Sequence, residues 1–314
     1  MSGFGSQVSG IRYQELSVRC RNGNPEPETR NAGPETWDLR LETERGVGHW
    51  TLDIELVEFM KLTFLGTCTS TGVPSIGCEC ETCTSTDTRD KRLRVSILVE
   101  HGDQTLLVDT SSDFRQQALR QNLKRLDAVL ITHCHADHIF GLDDIRPLNF
   151  RYGALGVYAN ERAWPDIRRI FKYIFEPSHF GGGLPQVIPH TVMPGAAFCI
   201  GHDLLITPLE VIHGRLPVMA YRFNDFAYAT DLSEIPPQTM GAMANLDVLV
   251  LDCLRFNEHP THLWLDKALE YIEQLRPRHT YLTHIAHDVK HERDSARLPD
   301  GVAWAYDGLV VSDE

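Results

Sequence analysis

His133-Cys134-His135-Ala136-Asp137-His138 follows directly on the apolar run Ala128-Val129-Leu130-Ile131. The run is short, aliphatic and partly β-branched, so it predicts a buried strand, with the histidine stretch as the loop that leaves its end. Three imidazoles and a carboxylate within six residues place four metal-binding groups on one tight turn. Alternate positions can face one centre while Asp137 and His138 turn toward a second. Two adjacent cations can polarise a substrate and generate a nucleophile at neutral pH. A lone histidine at a strand end usually serves packing or solvation, and most of the 15 histidines need no other explanation. Packing has no use for so many polar groups at one strand terminus.

One loop cannot hold two metals, so further ligands are expected from other strand ends. His213 follows the extended apolar stretch Leu204 to Ile212. Asp231 follows Phe226 to Thr230, the second arm of a hairpin turning at Asn224-Asp225. His284 follows His279-Thr280-Tyr281-Leu282-Thr283. Singly, each reads equally well as a turn residue; with the loop they supply five imidazoles and two carboxylates. A second constellation is Cys78-Glu79-Cys80-Glu81-Thr82-Cys83. Three thiols this close, in a chain with no sign of export, suggest zinc rather than disulfides. A structural zinc is closed by four N or S donors. The expected fourth is His287, three positions after His284, where a closed site would pin the loop that presents His284.

These residues resemble the ligand set of the metallo-β-lactamase superfamily over roughly residues 60 to 314. The resemblance implies an α/β (α+β) fold, an αββα sandwich of two mixed β-sheets flanked by helices. It also implies that His133, His135 and His213 hold one metal, that Asp137, His138 and His284 hold the other, and that Asp231 bridges them. CxCxxC together with Thr283-His284-Ile285-Ala286-His287 is similar to the phosphoribosyl cyclic phosphodiesterase family of the carbon–phosphorus lyase pathway. That likeness implies a dinuclear phosphodiesterase in which a hydroxide shared by the metals attacks phosphorus, with Asp137 also orienting it. It implies a histidine acid outside the metal shell as well, here His262, with His259 as the alternative. The ligand chemistry suits Zn, Mn or Fe in the dinuclear site and Zn in the thiol site.

The apolar stripe Leu265, Ala268, Leu269, Ile272 and Leu275 predicts a helix that His262 opens and Thr261 caps. Strands are expected at Leu62 to Leu65, Ser96 to Val99, Thr105 to Val108 and Asp247 to Asp252, with the second and third joined at His101-Gly102-Asp103. Asp109 ends its strand where it can buttress the metal loop. Arg146 is expected to pair with Asp143 or Asp144, with a phosphate contact as the alternative, and the loop His179 to Pro185 to form a glycine-rich flap.

With 314 residues and 42% hydrophobic content the chain can bury a large core. Ligands scattered along residues 59–314 argue for one integrated hydrolase domain there. Residues 1–58 are read as an extension, largely disordered for want of apolar residues. Within it, Trp37 to Glu42 and Trp50 to Leu56 alternate as a small hairpin would. Met60 is read as a candidate natural start. No membrane-length apolar span or signal segment is evident, which makes the cytoplasm the expected compartment. Cys20, Cys68, Cys134, Cys199 and Cys253 are expected as free thiols. The net charge of −13 disfavours long nucleic acid but not a small phosphate ester, since bound metals supply local positive charge. A homodimer stays open as the assembly. The competing readings are another hydrolase on this scaffold (ribonuclease, thioesterase or lactonase) and a non-catalytic metal-binding accessory protein of cofactor biosynthesis.

Overall fold

The computed structural model describes residues 36–43, 46–53, 60–177, 183–201 and 204–312. The expected disorder of the first stretch, Cys20 and most of the glycine-rich flap thus lie outside the described residues. The chain divides into two units, Met1–Glu58 and Phe59–Glu314. In the first, β1 (Thr36–Thr43) and β2 (Gly46–Asp53) pair antiparallel, Trp37 opposite Leu52 and Leu39 opposite Trp50. Because Thr43 pairs with Gly46, the second arm spans Gly46–Asp53 rather than Trp50 to Leu56.

The first half of the second unit supplies β3 (Met60–Gly66), β4 (Ser96–His101), β5 (Gln104–Val108), β6 (Ala128–Leu130), β7 (Leu155–Asn160) and β8 (Val187–Val192). These bond to one another in that order, and β16 (Val310–Ser312) returns from the end of the chain to pair with β3. The second half supplies β9 (Phe198–Ile200), β10 (Leu204–His213), β11 (Leu216–Phe223), β12 (Phe226–Ala229), β13 (Val248–Asp252), β14 (His279–Thr283) and β15 (Val302–Trp304), again consecutive in a seven-stranded sheet. Both sheets start with antiparallel strands and continue with parallel ones. Parallel neighbours need long crossovers, which here carry helices. These are α1 (Phe114–Arg120), α2 (Ala136–Ile139), α3 (Arg146–Tyr152), α4 (Ala163–Ile170) and α5 (Lys172–Phe175) on the first sheet, and α6 (Pro237–Ala242), α7 (Leu265–Leu275) and α8 (His291–Ser295) on the second.

Strand alternation sorts the apolar residues into three layers. Leu62, Phe64, Ile97, Val99, Leu106, Val108 and Leu130 meet Ile206, Met219, Tyr221, Tyr228 and Val250 between the sheets. Leu98, Leu107, Val129 and Val157 face Phe114, Ile139, Trp164 and Ile167 on one outer side. Leu209, Val211, Leu249 and Leu251 face Leu265, Ala268 and Leu275 on the other. Sheets covered on both faces explain why these strands read as nearly continuous apolar runs. The result is the αββα sandwich. Among the described residues, no helix is long and apolar enough to cross a membrane.

One expected boundary is corrected. The helix starts at Leu265, not at His262, and Thr261 does not cap it; Trp264 holds the cap position without a side-chain bond. Competing hydrogen bonds keep the preceding segment extended. Leu254 N donates to Leu263 O (2.9 Å), Leu265 N to Arg255 O (3.0 Å) and Leu263 N to Asp252 Oδ2 (2.8 Å).

Candidate metal centre

Each residue read as a dinuclear ligand lies just beyond, or at, the carboxyl end of a strand, where open α/β sheets present their loops. His133 to His138 follow β6, His213 ends β10, Asp231 follows β12, and His284 follows β14. Asp109, Asp231 and His284 adopt left-handed backbone, with φ of +63°, +55° and +60°. Such a conformation costs a non-glycine residue about 1–3 kcal/mol and persists only where the surroundings impose it.

The seven side chains converge as two groups. The donor atoms of His133, His135, His213 and Asp231 lie within 4.8 Å of one another, as do those of Asp137, His138, Asp231 and His284. Asp231 belongs to both. His133 Nε2 faces His135 Nδ1 at 2.8 Å. His138 Nε2 is 3.3 Å from Asp231 Oδ1 and 3.4 Å from Asp137 Oδ2, and His284 Nε2 is 3.2 Å from Asp231 Oδ2. Despite these separations, His138 Nε2 and both His284 ring nitrogens are buried without a hydrogen bond. The groups are aimed at common points rather than at each other.

The outward ring atoms are tied down. His138 Nδ1–H donates to Asp109 Oδ2 (2.7 Å), and His213 Nδ1–H to Thr261 O (2.7 Å). Thr132 donates its hydroxyl to Asp109 Oδ2 (2.8 Å), so the oxygen accepts from His133 Nδ1–H (3.1 Å). Each of these bonds leaves an Nε2 lone pair facing the cluster, the arrangement that orients metal-binding imidazoles. Asp109 thus buttresses the loop as its position suggested.

The electrostatics also call for cations. Asp109, Asp137, Asp231 and Asp252 are all buried here. Burial raises Asp137 and Asp231, yet both are held below the carboxylate range. The close approach and charge of His138 and His284 outweigh burial at both carboxylates. Burial opposes charge on His284 too, but the neighbouring carboxylates, Asp231 first and then Asp137 and Asp252, raise it to about 10. The carboxylates thus favour positive charge at this end of the site. Burial keeps His133, His135 and His213 below the ordinary imidazole range, in the neutral form that ligation requires.

The thiol loop closes on the residue expected. His287 Nδ1 lies 3.2 Å from Cys78 Sγ, 3.5 Å from Cys80 Sγ and 3.5 Å from Cys83 Sγ. A tetrahedral zinc, with Zn–S of ~2.3 Å and Zn–N of ~2.0 Å, separates sulfur from nitrogen by about 3.5 Å. The backbone N–H of Cys83 lowers Cys80 to about 7, favouring thiolate. Cys68, Cys134 and Cys253 are free and at least partly buried, whereas Cys199 is exposed.

His262 lies inside neither group. Its ring stacks on His284 and sits 4.5 Å from that of His213, and its Nδ1 is 3.4 Å from Asp252 Oδ1. His259 is less buried and meets His262 at 5.2 Å between ring centroids. Asp252 went unrecognised as a site residue, although it ends a buried strand as Asp109 nearly does. Arg146 pairs with Asp143 at 2.7 Å, as anticipated.

A sequence profile described as "Beta-lactamase superfamily domain" matches residues 104–285. The crystal structure of a diphosphatase from the PhnP family aligns at 43% identity and a TM-score of 0.76, covering 81% of this chain and 97% of that one. The chain belongs to the PhnP family. It is a metallo-β-lactamase-fold hydrolase, and it also resembles two curated proteins. It is 37% identical over 259 residues to an octanoyltransferase of Porphyromonas gingivalis, covering 81% of this chain and 52% of the relative. It is 28% identical over 207 residues to a ribonuclease Z of Nostoc, covering 62% and 58%. The chain thus spans little more than half the length of the curated relatives it matches.

Proposed function

We propose that this PhnP-family chain is a dinuclear metal-dependent phosphodiesterase acting on a small cyclic or diester phosphate, ribose-derived in the leading reading. The observation that carries it is the sharing of Asp231 by two clusters of imidazole and carboxylate groups, with His262 beside them. His133, His135, His213 and Asp231 would hold one ion, and Asp137, His138, Asp231 and His284 the other. Loaded with Zn, Mn or Fe, the pair would supply Lewis-acid stabilisation of the phosphoryl oxygens and a nucleophile at neutral pH.

The chain's own residues complete the chemistry. Asp109 fixes the His138 ring and, through Thr132, the His133 ring. Asp252 holds His262 and His284 from below, so a proton on His262 Nε2 can pass to the departing alkoxide. The thiol cluster with His287 would hold a structural zinc that anchors the loop bearing His284. The kinship with a PhnP-family diphosphatase and with ribonuclease Z supports phosphoryl substrates. The net charge of −13 favours a small ester over a long polyanion.

A panel of cyclic and acyclic phosphodiesters, run beside lactones and thioesters on the metal-replete protein, tests this reading. Turnover confined to phosphodiesters and abolished by chelation is expected. Turnover of lactones or thioesters alone would overturn it.

A further inference from the structure

An arginine and an aspartate sit wholly buried behind the centre with no part in its ligand set. Arg92 Nη2 meets Asp90 Oδ1 at 3.0 Å, and neither side chain has any exposure. A buried ion pair is seldom the most stable filling for its space, because both charges lose water. This one is also incompletely satisfied: Arg92 Nε and Asp90 Oδ2 have no hydrogen-bond partner. Stability alone is therefore a poor account of it.

Its contacts converge on one segment. Arg92 Nη1 donates to Val289 O (3.0 Å) and Ala286 O (3.4 Å), and Asp90 Oδ1 accepts from His291 N (2.8 Å). The pair thus grips the backbone on both sides of His287, directly after His284. Arg92 is itself fixed, since its backbone exchanges two hydrogen bonds with Val73 (2.8 and 2.9 Å) at the start of the thiol loop. His284 needs such support because it holds a left-handed φ of +60°. Further restraint comes from Ile285 N to Thr67 O (2.8 Å) and Ala286 N to Leu254 O (2.9 Å).

We propose that Arg92, paired with Asp90, is a positioning residue that fixes the turn at His284 and so sets the metal affinity of the Asp137–His138–Asp231–His284 cluster. The inference rests on that cluster's reading as a metal site. Arg92 touches none of the reacting groups; it acts through the carbonyls that follow His284. The thiol cluster restrains the same loop at a different residue, so the two supports are separable.

Cobalt(II) titration of full-length protein tests this, because the thiolate and the imidazole–carboxylate clusters absorb differently. Arg92→Lys keeps the charge but loses the fork, while Arg92→Met with Asp90→Asn avoids stranding a buried charge. Measured below their melting temperatures, both are expected to bind cobalt at the His284 cluster about 10–100-fold more weakly. The thiolate band should stay at full intensity, and Arg92→Lys should be the milder. Folded variants with unchanged affinity at that cluster and only a lower Tm would overturn the proposal. So would loss of the thiolate band alone. Wild-type protein that takes up no cobalt at the histidine cluster would remove the metal-site reading, and this inference with it.

Discussion

His262 lies nearly parallel to His284, ring centroids 4.6 Å apart and planes inclined by 19°, with Asp252 beneath both. Asp252 Oδ1 is 3.4 Å from His262 Nδ1 and 3.3 Å from His284 Nδ1. One carboxylate therefore registers a ring of the ligand cluster against a ring that is free to move a proton. Replacing His262 with Ala should slow substrates with alkoxide leaving groups by about 10²–10⁴-fold. Nitrophenyl esters, whose leaving group needs no proton, should be affected far less. Equal slowing in both kinetic series would remove His262 as the acid.

The purified, metal-replete chain should hold about three divalent ions, one of them in the tetrahedral thiol site. Cys80→Ser should lose about one and melt at a lower temperature, because His287 would no longer be tethered. Elemental analysis with a melting curve checks both points; full retention of bound metal would show the thiol assignment to be wrong.

Asp231 is the one side chain common to both dinuclear groups. Asp231→Ala should weaken binding of both ions together, by more than the about 10–100-fold typical of losing a supporting partner. Isothermal titration would reveal the alternative, in which one ion stays at full affinity and the bridging role is lost.

His291 supplies a pH signature away from the ligands. Burial, then the charges of Arg89 and Arg92, lower it from 6.5 to about 4. Between those values the unfolded chain binds a proton that the folded chain refuses. Stability should therefore be fully present above about pH 6.5 and decline as pH falls toward about 4. The difference in Tm between wild type and His291→Asn, followed across that range, should change with pH; a constant difference would contradict the assignment.

The fold and most of the centre were legible because strand ends announce themselves. Buried runs such as Phe226 to Thr230 stop at a polar residue, and that residue is where a sheet can present a ligand. The pairing of His287 with the thiols was legible from valence, since three sulfurs require a fourth donor. Asp252 was not, because a carboxylate at the end of Val248-Leu249-Val250-Leu251 looks like any turn residue until His262 is seen above it. The start of α7 was misplaced for a related reason. Thr261 has good capping chemistry, but bonds from Leu254 and to Arg255 and Asp252 hold residues 263–265 in register with a remote segment. Such long-range competition leaves no local trace. Arg92 was likewise hidden, as a buried arginine reads like a surface one in sequence.

The ligands divide between the two sheets: His133, His135, Asp137 and His138 come from the first, and His213, Asp231 and His284 from the second. A polypeptide interrupted before Leu204 would carry the most recognisable motif and yet possess no centre. Convergence of the seven side chains must therefore wait until the chain has been made past His284 and the two sheets have packed together.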